Sequence, residues 1–397
     1  MTNYLARAAT QQELRDSHEA WDRLALRMAV PTVFCTWEWV FEWWECFAAN
    51  YDGLVVVFIT SGNDLKGIVP LVRHSAVPGR GNWLGGRRLS YCGYRDLFAD
   101  QVDIICAPED IEPCVDALCG FLRTGYTDWD VWEIPLVKAD SGLAMCAERV
   151  LRNSGDAWVA AWQSTSQAPY VNLAQRTFDQ HVATLDGHRR YELRKRKKEM
   201  VEKDLRYANP EPGSESIVLA ELFALHTARA RQKRMKSTFD GALVQQFHAR
   251  FAPKAAQRGW LWLRSLKSGD HTVAAFYGFQ IGDRIFYFQG GFDPAWETLS
   301  PGKTILDEVL REGFSRGYRE FNFLQGGEQY KSAWTYDKFP LYSGRIYNRS
   351  VRGRLNRLGS DLRGRLKHLL QGWANTYRAR SKRRKSPSKP PTRRKDA

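Results

Sequence analysis

Three runs of apolar, β-branched and aromatic residues in the C-terminal part of the chain constrain its fold most strongly. They cover residues 260–266, 272–281 and 284–291, and short polar or glycine-containing segments separate them. Gly282 and Asp283, between the second and third runs, are typical of a tight hairpin turn. The sequence therefore predicts an antiparallel meander of three strands.

A helix and a further strand are predicted after this meander. Residues 300–302, Ser-Pro-Gly, are a helix-start signal, and the pattern predicts a helix over Thr304–Arg316 and a strand over Tyr318–Leu324. Free N–H groups and the helix dipole favour an anion such as a phosphate at such a start, and Lys303 adds a positive charge. If the strands before and after this helix separate, a thin ligand fits between them.

The predicted strand ends in an unusual group of residues. Two glycines are followed closely by Glu328, Tyr330 and Lys331, which present a carboxylate, a phenol and an amine within four positions. Glycine lets a backbone turn sharply beside a ligand. The segment therefore marks the end of this strand as a candidate site.

The remaining patterns predict an α/β or α+β chain with two domains and a tail. Helices are predicted at residues 12–30, 36–49, 110–124, 178–185, 187–206, 217–234 and 240–258. Strands in the first half are predicted at residues 54–60, 66–73, 89–91, 102–105 and 131–134. The predicted division is residues 1–165, residues 166–350, and a basic, largely disordered tail at residues 351–397. Within the tail, residues 351–380 can form a helix, and the last 17 residues, rich in Pro, Lys and Arg, are expected to be disordered.

The positive charge of the chain is concentrated in this tail. Residues 352–397 contain 16 Lys and Arg against 2 Asp and Glu, a net charge of +14 out of +15 for the whole chain. The body is therefore nearly neutral, which disfavours nucleic acid as a partner. Within the body, the Arg- and Lys-rich helix at 187–206 is either a solvated helix with Glu–Lys pairs or a phosphate-facing surface.

Cysteine and histidine spacing predicts no metal site and no disulfide framework. The 7 cysteines include no C-x-x-C pair and the 8 histidines are scattered, so buried free thiols in a reducing compartment are favoured. The N-terminal residues lack the apolar core of a signal peptide, and the longest apolar runs have the length of strands. The expected location is the cytoplasm.

The region from about residue 178 to 348 resembles the GNAT acetyltransferases associated with bacterial cellulose and exopolysaccharide biosynthesis, the CelD/BcsL group. That group is related to the Fem-type aminoacyl transferases. The resemblance rests on segments Val273–Ala275, Tyr287–Pro294, Ser300–Gly302, Gly317–Phe323 and Gly326–Lys331, with Trp334. Residues 1–165 resemble the N-terminal half of the group, a degenerate second GNAT-like unit. The fold implied is tandem GNAT-like domains, each a mixed, mostly antiparallel sheet flanked by helices.

The resemblance implies an acyl-CoA-dependent N- or O-acyltransferase that uses acetyl-CoA and no metal. The expected acceptor is a sugar or amino sugar of polysaccharide or cell-envelope biosynthesis. Acyl transfer needs a base for the proton of the acceptor and a group that stabilises the oxyanion. Glu328 is the candidate base and Lys331 the candidate stabiliser, while Tyr330 protonates the leaving thiolate or packs. The alternative is a surface ion pair between Glu328 and Lys331.

Binding residues are expected on the third strand of the meander, at the helix start and around the end of the last strand. The expected cofactor-binding residues are Gln289, Gly290, Gly291, Pro301, Gly302, Lys303 and Thr304. The expected acceptor-binding residues are His226, Arg229, Asn322 and Gln325. A single helical histidine such as His226 is alternatively a structural residue.

Two other functions stay open. The first keeps the fold and takes aminoacyl-tRNA as the donor, with the helix at 187–206 and the tail against phosphates. The second is a non-catalytic scaffold of a polysaccharide-synthesis system, because the sequence departs from the CelD/BcsL group at Asn322, Gln325 and Gly327. The basic tail is expected to contact an anionic membrane surface or to act as a solubilising extension.

Overall fold

The computed structural model describes residues 3–76, 85–152, 159–326, 329–360 and 362, and within them 13 strands form one sheet. The first six strands are β1 (Tyr4–Ala8), β2 (Gly53–Ser61), β3 (Asp64–Ala76), β4 (Gly86–Tyr91), β5 (Ile105–Cys106) and β6 (Val131–Lys138). The others are β7 (Val159–Asn172), β8 (Leu205–Ala208), β9 (Leu261–Ser268), β10 (His271–Ile281), β11 (Arg284–Phe292), β12 (Glu320–Asn322) and β13 (Lys338–Tyr347). Their order is β1-β2-β3-β4-β6-β13-β7-β12-β11-β10-β9-β8, and β5 pairs with β3.

Helices flank this sheet in both halves of the chain. The first half contains α1 (Gln11–Asp16), α2 (His18–Arg27), α3 (Trp37–Phe47), α4 (Tyr94–Leu97), α5 (Ile111–Gly120) and α6 (Gly142–Arg152). The second half contains α7 (Phe178–Thr184), α8 (Gly187–Glu202), α9 (Glu215–Gln232), α10 (Ala242–Gln257) and α11 (Pro301–Ser315). Residues 351–360 are also helical, and we call them the C-terminal helix. The predicted mixed α/β class is confirmed.

The two halves repeat one strand order. Four antiparallel strands, β1-β2-β3-β4, lead through α5 to β6, which runs parallel to β4. In the second half, β8-β9-β10-β11 lead through α11 to β12, which runs parallel to β11. A parallel pair needs a long crossover connection, and α5 and α11 supply it. The tandem arrangement of two mostly antiparallel units is therefore confirmed.

The halves exchange strands at the centre of the sheet. Strand β13 is the last of the described strands but pairs with β6 of the first half, whereas β7 pairs with β12 of the second half. The two exchanged strands also pair with each other. The predicted boundary at residue 165 falls within β7, and the division into domains stays a prediction.

The sequence patterns of the two exchanged strands are weak, and in β13 they are interrupted by Pro340 and Gly344. Residues 161–167 of β7 are mostly exposed and largely polar, so they lack the apolar alternation of a half-buried strand. The strand forms because both of its edges pair with other strands, β12 and β13, which lie far away in the sequence. Tertiary pairing here overrides weak local preference.

An aromatic core joins the two halves. Trp39 of α3 is fully buried and packs edge-on against Phe247 and Phe251 of α10. Beside it, Glu42 of α3 accepts a hydrogen bond from Arg250 Nε at 2.6 Å. The aromatic helix near the N-terminus is therefore part of the core, and it packs against the second half as well as the first.

Most predicted elements are present with shifted ends. The helix predicted at 12–30 is divided into α1 and α2, and the helix predicted at 187–206 ends at Glu202 because β8 begins at Leu205. All 7 cysteines are buried free thiols, as predicted. Residues 351–360 are helical, in agreement with the helix-capable segment predicted at 351–380, and the last 17 residues lie outside the described residues.

Gly344 provides a test of the strand exchange. A Cβ atom at this position of β13 would overlap the carbonyl oxygen of Ala161 in β7. We expect Gly344→Ala to lower the free energy of unfolding by about 1–3 kcal/mol, because the strands must move apart. Urea denaturation followed by circular dichroism measures the change.

Gly53→Ala in β2 is the matched control, since a Cβ atom there would meet nothing within 4 Å. This variant should unfold close to the wild-type midpoint. Equal midpoints for the two variants would show that the exchanged strands are not tightly packed.

Candidate active site

The parallel strands β11 and β12 separate soon after they begin. They pair only through Arg284–Phe286 and Glu320–Asn322, after which β11 continues to Phe292 while β12 ends. From Tyr287 onward, no described strand pairs with the edge of β11 that faces β12. A gap therefore opens between the two strands, and the backbone N–H and C=O groups of one β11 edge border it.

A β-bulge shapes the open part of β11. Gly278 of β10 pairs with Tyr287, but the preceding residue, Tyr277, pairs with Gln289, so Phe288 is the extra residue. A bulge bends the strand and disturbs the alternation of its side chains. As a result, three consecutive residues of β11, Tyr287 to Gln289, line the same cavity.

A cavity of about 200 Å³ lies between the open part of β11 and the start of α11, and we call it the helix-start cavity. Lys303 and Arg229 line it together with one carboxylate, Glu297, which accepts a hydrogen bond from Gln232 Nε2 at 3.0 Å. Ser300, just before α11, has a left-handed backbone and makes no side-chain cap to the helix. Two cationic side chains and the positive end of the helix dipole therefore surround a space that suits a phosphate.

Four of the seven residues predicted to bind the cofactor line this cavity: Gly290, Gly291, Gly302 and Lys303. Gln289 lines a second cavity instead. Pro301 and Thr304 are buried in the first turn of α11, where Thr304 Oγ1 donates to the Ser300 carbonyl oxygen at 3.3 Å. These two residues shape the helix start, and direct contact of the other five with a cofactor stays a prediction.

The two glycines of β11 have a packing reason to lack a side chain. A Cβ atom on Gly291 would lie 2.9 Å from the backbone nitrogen of His226 in α9. A Cβ atom on Gly290 would lie 2.7 Å from Tyr287 Oη. Glycine therefore lets α9 lie directly on β11, and the resulting backbone surface forms one wall of the helix-start cavity.

A second cavity, of about 310 Å³, lies between the two halves, and we call it the interface cavity. Its lining from the first half is Asp96, Leu97, Phe98 and Asp100. Its lining from the second half is Thr238, Phe239, Val244, His248, Tyr287–Gln289, Phe323–Gly326, Tyr330 and Lys331. Tyr287 and Tyr330 line both cavities. The two cavities therefore adjoin at these two rings.

Asp100 places a buried carboxylate in the interface cavity. Its Oδ2 accepts a hydrogen bond from the Gln325 backbone N–H, whereas the buried Oδ1 has no partner in the described part of the chain. Burial raises the pKa of this carboxyl to about 7, although hydrogen bonds from the backbone and the charge of Lys331 act against the rise. A carboxylate with such a pKa and one oxygen that lacks a hydrogen-bond partner is suited to accept a proton.

The loop that carries Asp100 is fixed in a strained conformation. Phe98 and Gln101 have φ angles of 54° and 53°, and left-handed backbone costs a non-glycine residue about 1–3 kcal/mol. The Gln101 side chain also exchanges two hydrogen bonds, of 3.1 and 3.0 Å, with the Asn322 amide. The first half thus holds Asp100 against the end of β12.

Lys331 lies in the wall of the interface cavity and is only 3% exposed. Its Nζ donates to the Gln325 carbonyl oxygen at 2.7 Å. The alternative interpretation of Lys331, a surface ion pair with Glu328, required an exposed side chain, and this burial excludes it. Tyr330 lies where the cavities adjoin, and Glu328 lies outside the described residues, so the catalytic roles of all three stay predictions.

Two of the four residues expected to bind the acceptor line a cavity. Gln325 lines the interface cavity. Arg229 lines the helix-start cavity instead, and its guanidinium carbon lies 4.5 Å from the centre of the Phe292 ring. Arg229 therefore lies with Lys303 on the side of the site that suits a phosphate.

The other two residues, His226 and Asn322, line neither cavity. His226 Nδ1 lies 2.7 Å from Ser237 Oγ, and its ring also forms a hydrogen bond with Gln289. Asn322 is 1% exposed, and its amide is occupied by Gln101. His226 thus supports a lining residue, and Asn322 connects the two halves.

A comparison with known families agrees with this geometry. Residues 187–332 match the family described as acetyltransferase (GNAT) domain. This domain makes the protein an acyltransferase, and the two adjoining cavities lie at the separated strands of that unit. No curated relative matches the sequence.

Solved structures share the fold over most of the chain. FemX has a TM-score of 0.59 at 9% identity, covering 89% of this chain and 99% of its own. A conserved protein of unknown function from Bacteroides thetaiotaomicron has a TM-score of 0.53 at 12% identity, with coverages of 86% and 99%. The C-terminal domain of a putative lysylphosphatidylglycerol synthetase from Agrobacterium fabrum has a TM-score of 0.51 at 10% identity, with coverages of 85% and 92%. At these identities the similarity shows the fold alone.

Asp100→Asn should stabilise the protein above neutral pH. The folded state raises the pKa of Asp100 above its unfolded value of about 3.9, so the stability that this group contributes is lost as pH rises through about 7. An amide does not ionise, so the variant should unfold at higher urea concentration than wild type near pH 8. The difference should disappear near pH 4.

Asp270→Asn, at an exposed turn residue, is the control and should change little at either pH. A variant of Asp100 that is less stable than wild type at both pH values would show that the carboxylate itself holds the fold together.

Proposed function

We propose that the protein transfers an acyl group, expected to be acetyl, from acyl-CoA to an amino or hydroxyl group of a sugar-containing acceptor. The observation that carries this proposal is the pair of adjoining cavities. One has the cationic character that suits a phosphate, and the other contains the buried carboxylate of Asp100. The two cavities adjoin at Tyr287 and Tyr330, which is where the acyl group would change partners.

The residues present fit a coenzyme A moiety. Its thin pantetheine arm can hydrogen-bond to the open edge of β11, as a missing strand would. Its pyrophosphate can meet the start of α11 together with Lys303 and Arg229. Bound in this way, acyl-CoA would supply the activated thioester, and the protein would supply position and proton transfer.

Asp100 is the best-suited base in the interface cavity. In direct transfer, the acceptor nitrogen or oxygen bonds to the acyl carbon and loses a proton, while the carbon–sulfur bond breaks. His248 lines the same cavity, but burial lowers the pKa of its ring to about 3, which makes it a weak base. Asp100, with a pKa of about 7, is ionised just above neutral pH and still basic enough to take the proton.

Two further groups have places in this mechanism. The ammonium group of Lys331 lowers the pKa of Asp100 and so favours the ionised form of the base. The phenol of Tyr330 lies where the cavities adjoin and can return a proton to the leaving thiolate. The backbone N–H groups of the open β11 edge can stabilise the oxyanion.

A wide polar groove supports a sugar-containing acceptor. It has a volume of about 990 Å³ and shares Phe98 and Gln325 with the interface cavity. Polar and charged groups line much of the groove, among them Arg95, Glu133, Gln163, Thr165 and Ser343. Such a concentration of hydrogen-bonding groups suits a hydroxyl-rich ring.

Aminoacyl-tRNA is the second candidate donor. The fold similarity to FemX and the Arg- and Lys-rich helix α8 favour it. Part of that charge is already used, however, because Arg196 binds Asp307 at 2.6 Å in a buried pair and Lys197 binds Glu308 at 3.2 Å. A non-catalytic scaffold, the third candidate function, does not explain Asp100. A buried carboxylate with an unsatisfied oxygen costs stability, and a scaffold gains nothing from it.

Calorimetric titration with acetyl-CoA and with CoA tests whether acyl-CoA is the acyl donor. Both should bind, and Lys303→Ala should weaken both by roughly tenfold, because one charged contact to a phosphate is lost. Lys203→Ala, at an exposed position after α8, is the matched control and should bind normally. Absence of binding at millimolar ligand would reject acyl-CoA and leave aminoacyl-tRNA as the donor to titrate.

The rate of acetyl-CoA consumption with glucosamine as the probe acceptor tests whether Asp100 is the general base. Asp100→Asn should lower kcat by roughly 10²–10⁴-fold and leave CoA binding unchanged. In the wild type, kcat should rise with pH through about 7, because the active form of Asp100 is the carboxylate. Glu328→Gln is the comparison variant. A full rate for Asp100→Asn together with a large loss for Glu328→Gln would move the role of base to Glu328.

A further inference from the structure

The C-terminal helix turns its apolar side chains to solvent. Val351, Leu355, Leu358 and Leu362 are 74%, 40%, 57% and 58% exposed. At about 100° per residue, the spacing of the first three, which lie in the C-terminal helix, places them within a sector of about 60°. Such a stripe normally faces the core of a globular protein. Here it faces away from the body, so it is available to another partner.

The opposite face of the helix is polar and attaches it to the body. Gly353 and Asn356 are buried, and Asn356 Nδ2 donates to the Gly85 carbonyl oxygen at 3.0 Å. A Cβ atom on Gly353 would lie 3.0 Å from the Asp130 carbonyl oxygen, so the helix backbone approaches the body closely at this residue. Gly353 and Asn356 lie about 130–170° from the middle of the apolar stripe. Rotation of the helix to bury the leucines would break these contacts, so the attachment keeps the stripe outward.

Cationic residues border the stripe and follow it in the sequence. Arg352 and Arg354 lie about 70–90° to either side of its middle. Residues 352–397 together contain 16 Lys and Arg against 2 Asp and Glu. Helices with an apolar face between basic residues lie in the surface of anionic bilayers, with the apolar side chains in the acyl boundary and the cations at the headgroups.

We propose that the C-terminal helix, with Leu362, docks the protein on the surface of an anionic lipid bilayer. A nucleic acid would use the cations but leave the apolar stripe exposed, so lipid matches both features. Ser360, about 170° from the middle of the stripe, lines the polar groove, so the groove borders the side of the helix that faces the body.

Among the described helices, none combines the length and the apolar character needed to cross a membrane.

Co-sedimentation of the full chain with lipid vesicles tests this proposal. The protein should co-sediment with vesicles of equal parts phosphatidylcholine and phosphatidylglycerol. The amount of protein that co-sediments with vesicles of phosphatidylcholine alone should be lower by roughly tenfold or more. The double variant Leu355→Asp/Leu358→Asp should lower binding to the anionic vesicles by at least roughly tenfold, because the acyl boundary excludes charge. Salt should also weaken wild-type binding.

The matched control is Val201→Asp/Ile217→Asp, which changes two residues that are 72% and 62% exposed on other helices. This control should sediment like the wild type. Circular dichroism should show that both double variants are folded, as expected for exposed positions. As a second readout, a polarity-sensitive fluorophore on Leu358→Cys should shift to the blue on anionic vesicles only.

Several results would overturn the proposal. Equal sedimentation of the wild type and Leu355→Asp/Leu358→Asp would show that charge in the tail acts alone. Equal binding to neutral and anionic vesicles would remove the role of the cations. Absence of lipid binding, with a dimer in light scattering that Leu355→Asp/Leu358→Asp abolishes, would assign the stripe to a second copy of the chain. Co-purified RNA without lipid binding would assign the cations to nucleic acid.

Discussion

The contact between the loop of Asp100 and Gln101 and the end of β12 is the interaction on which the site depends. The second half alone contains the open strand edge and the cationic helix start, but its own cavity-lining histidine is a weak base. The first half supplies the carboxylate, and the paired amides of Gln101 and Asn322 hold it in position. The half that resembled a degenerate unit therefore completes the interface cavity. Its strained loop, and the stability that a buried carboxylate costs, are consistent with a functional position.

The exchange of β7 and β13 makes this contact a permanent feature of the fold. Two domains joined by a linker usually move relative to one another. Here the sheet continues from one half to the other through strands that each half takes from the other. The aromatic packing of α3 on α10 adds a second connection on the helical layer. The interface cavity is therefore built between parts that share one sheet, which favours the fixed geometry that proton transfer needs.

What the sequence reveals depends on how local the relevant contacts are. The meander of β9, β10 and β11, the start of α11 and the group around Lys331 are predictable, because each has its pattern within a few residues. Strands β7 and β13 are not, because the centre of β7 is polar, Pro340 and Gly344 interrupt the apolar residues of β13, and both strands pair with distant segments. Asp100 is missed for the same reason, since Gln325, which donates to it, lies 225 positions later. Lys331 is found by its local motif, but its burial between the halves follows only from the fold.

The strand exchange also imposes an order of events during synthesis. Strand β6 is complete at residue 138, but its partner β13 ends only at residue 347. At roughly 5–20 residues per second, one edge of β6 therefore waits about 10–40 s for the strand that will cover it. During that time β7 is the nearest available strand in the same chain, and a β13 strand from a neighbouring chain is a competitor. Of the described strands, β13 is the last to leave the ribosome, so the edge of β6 is covered only after the other described strands have been made.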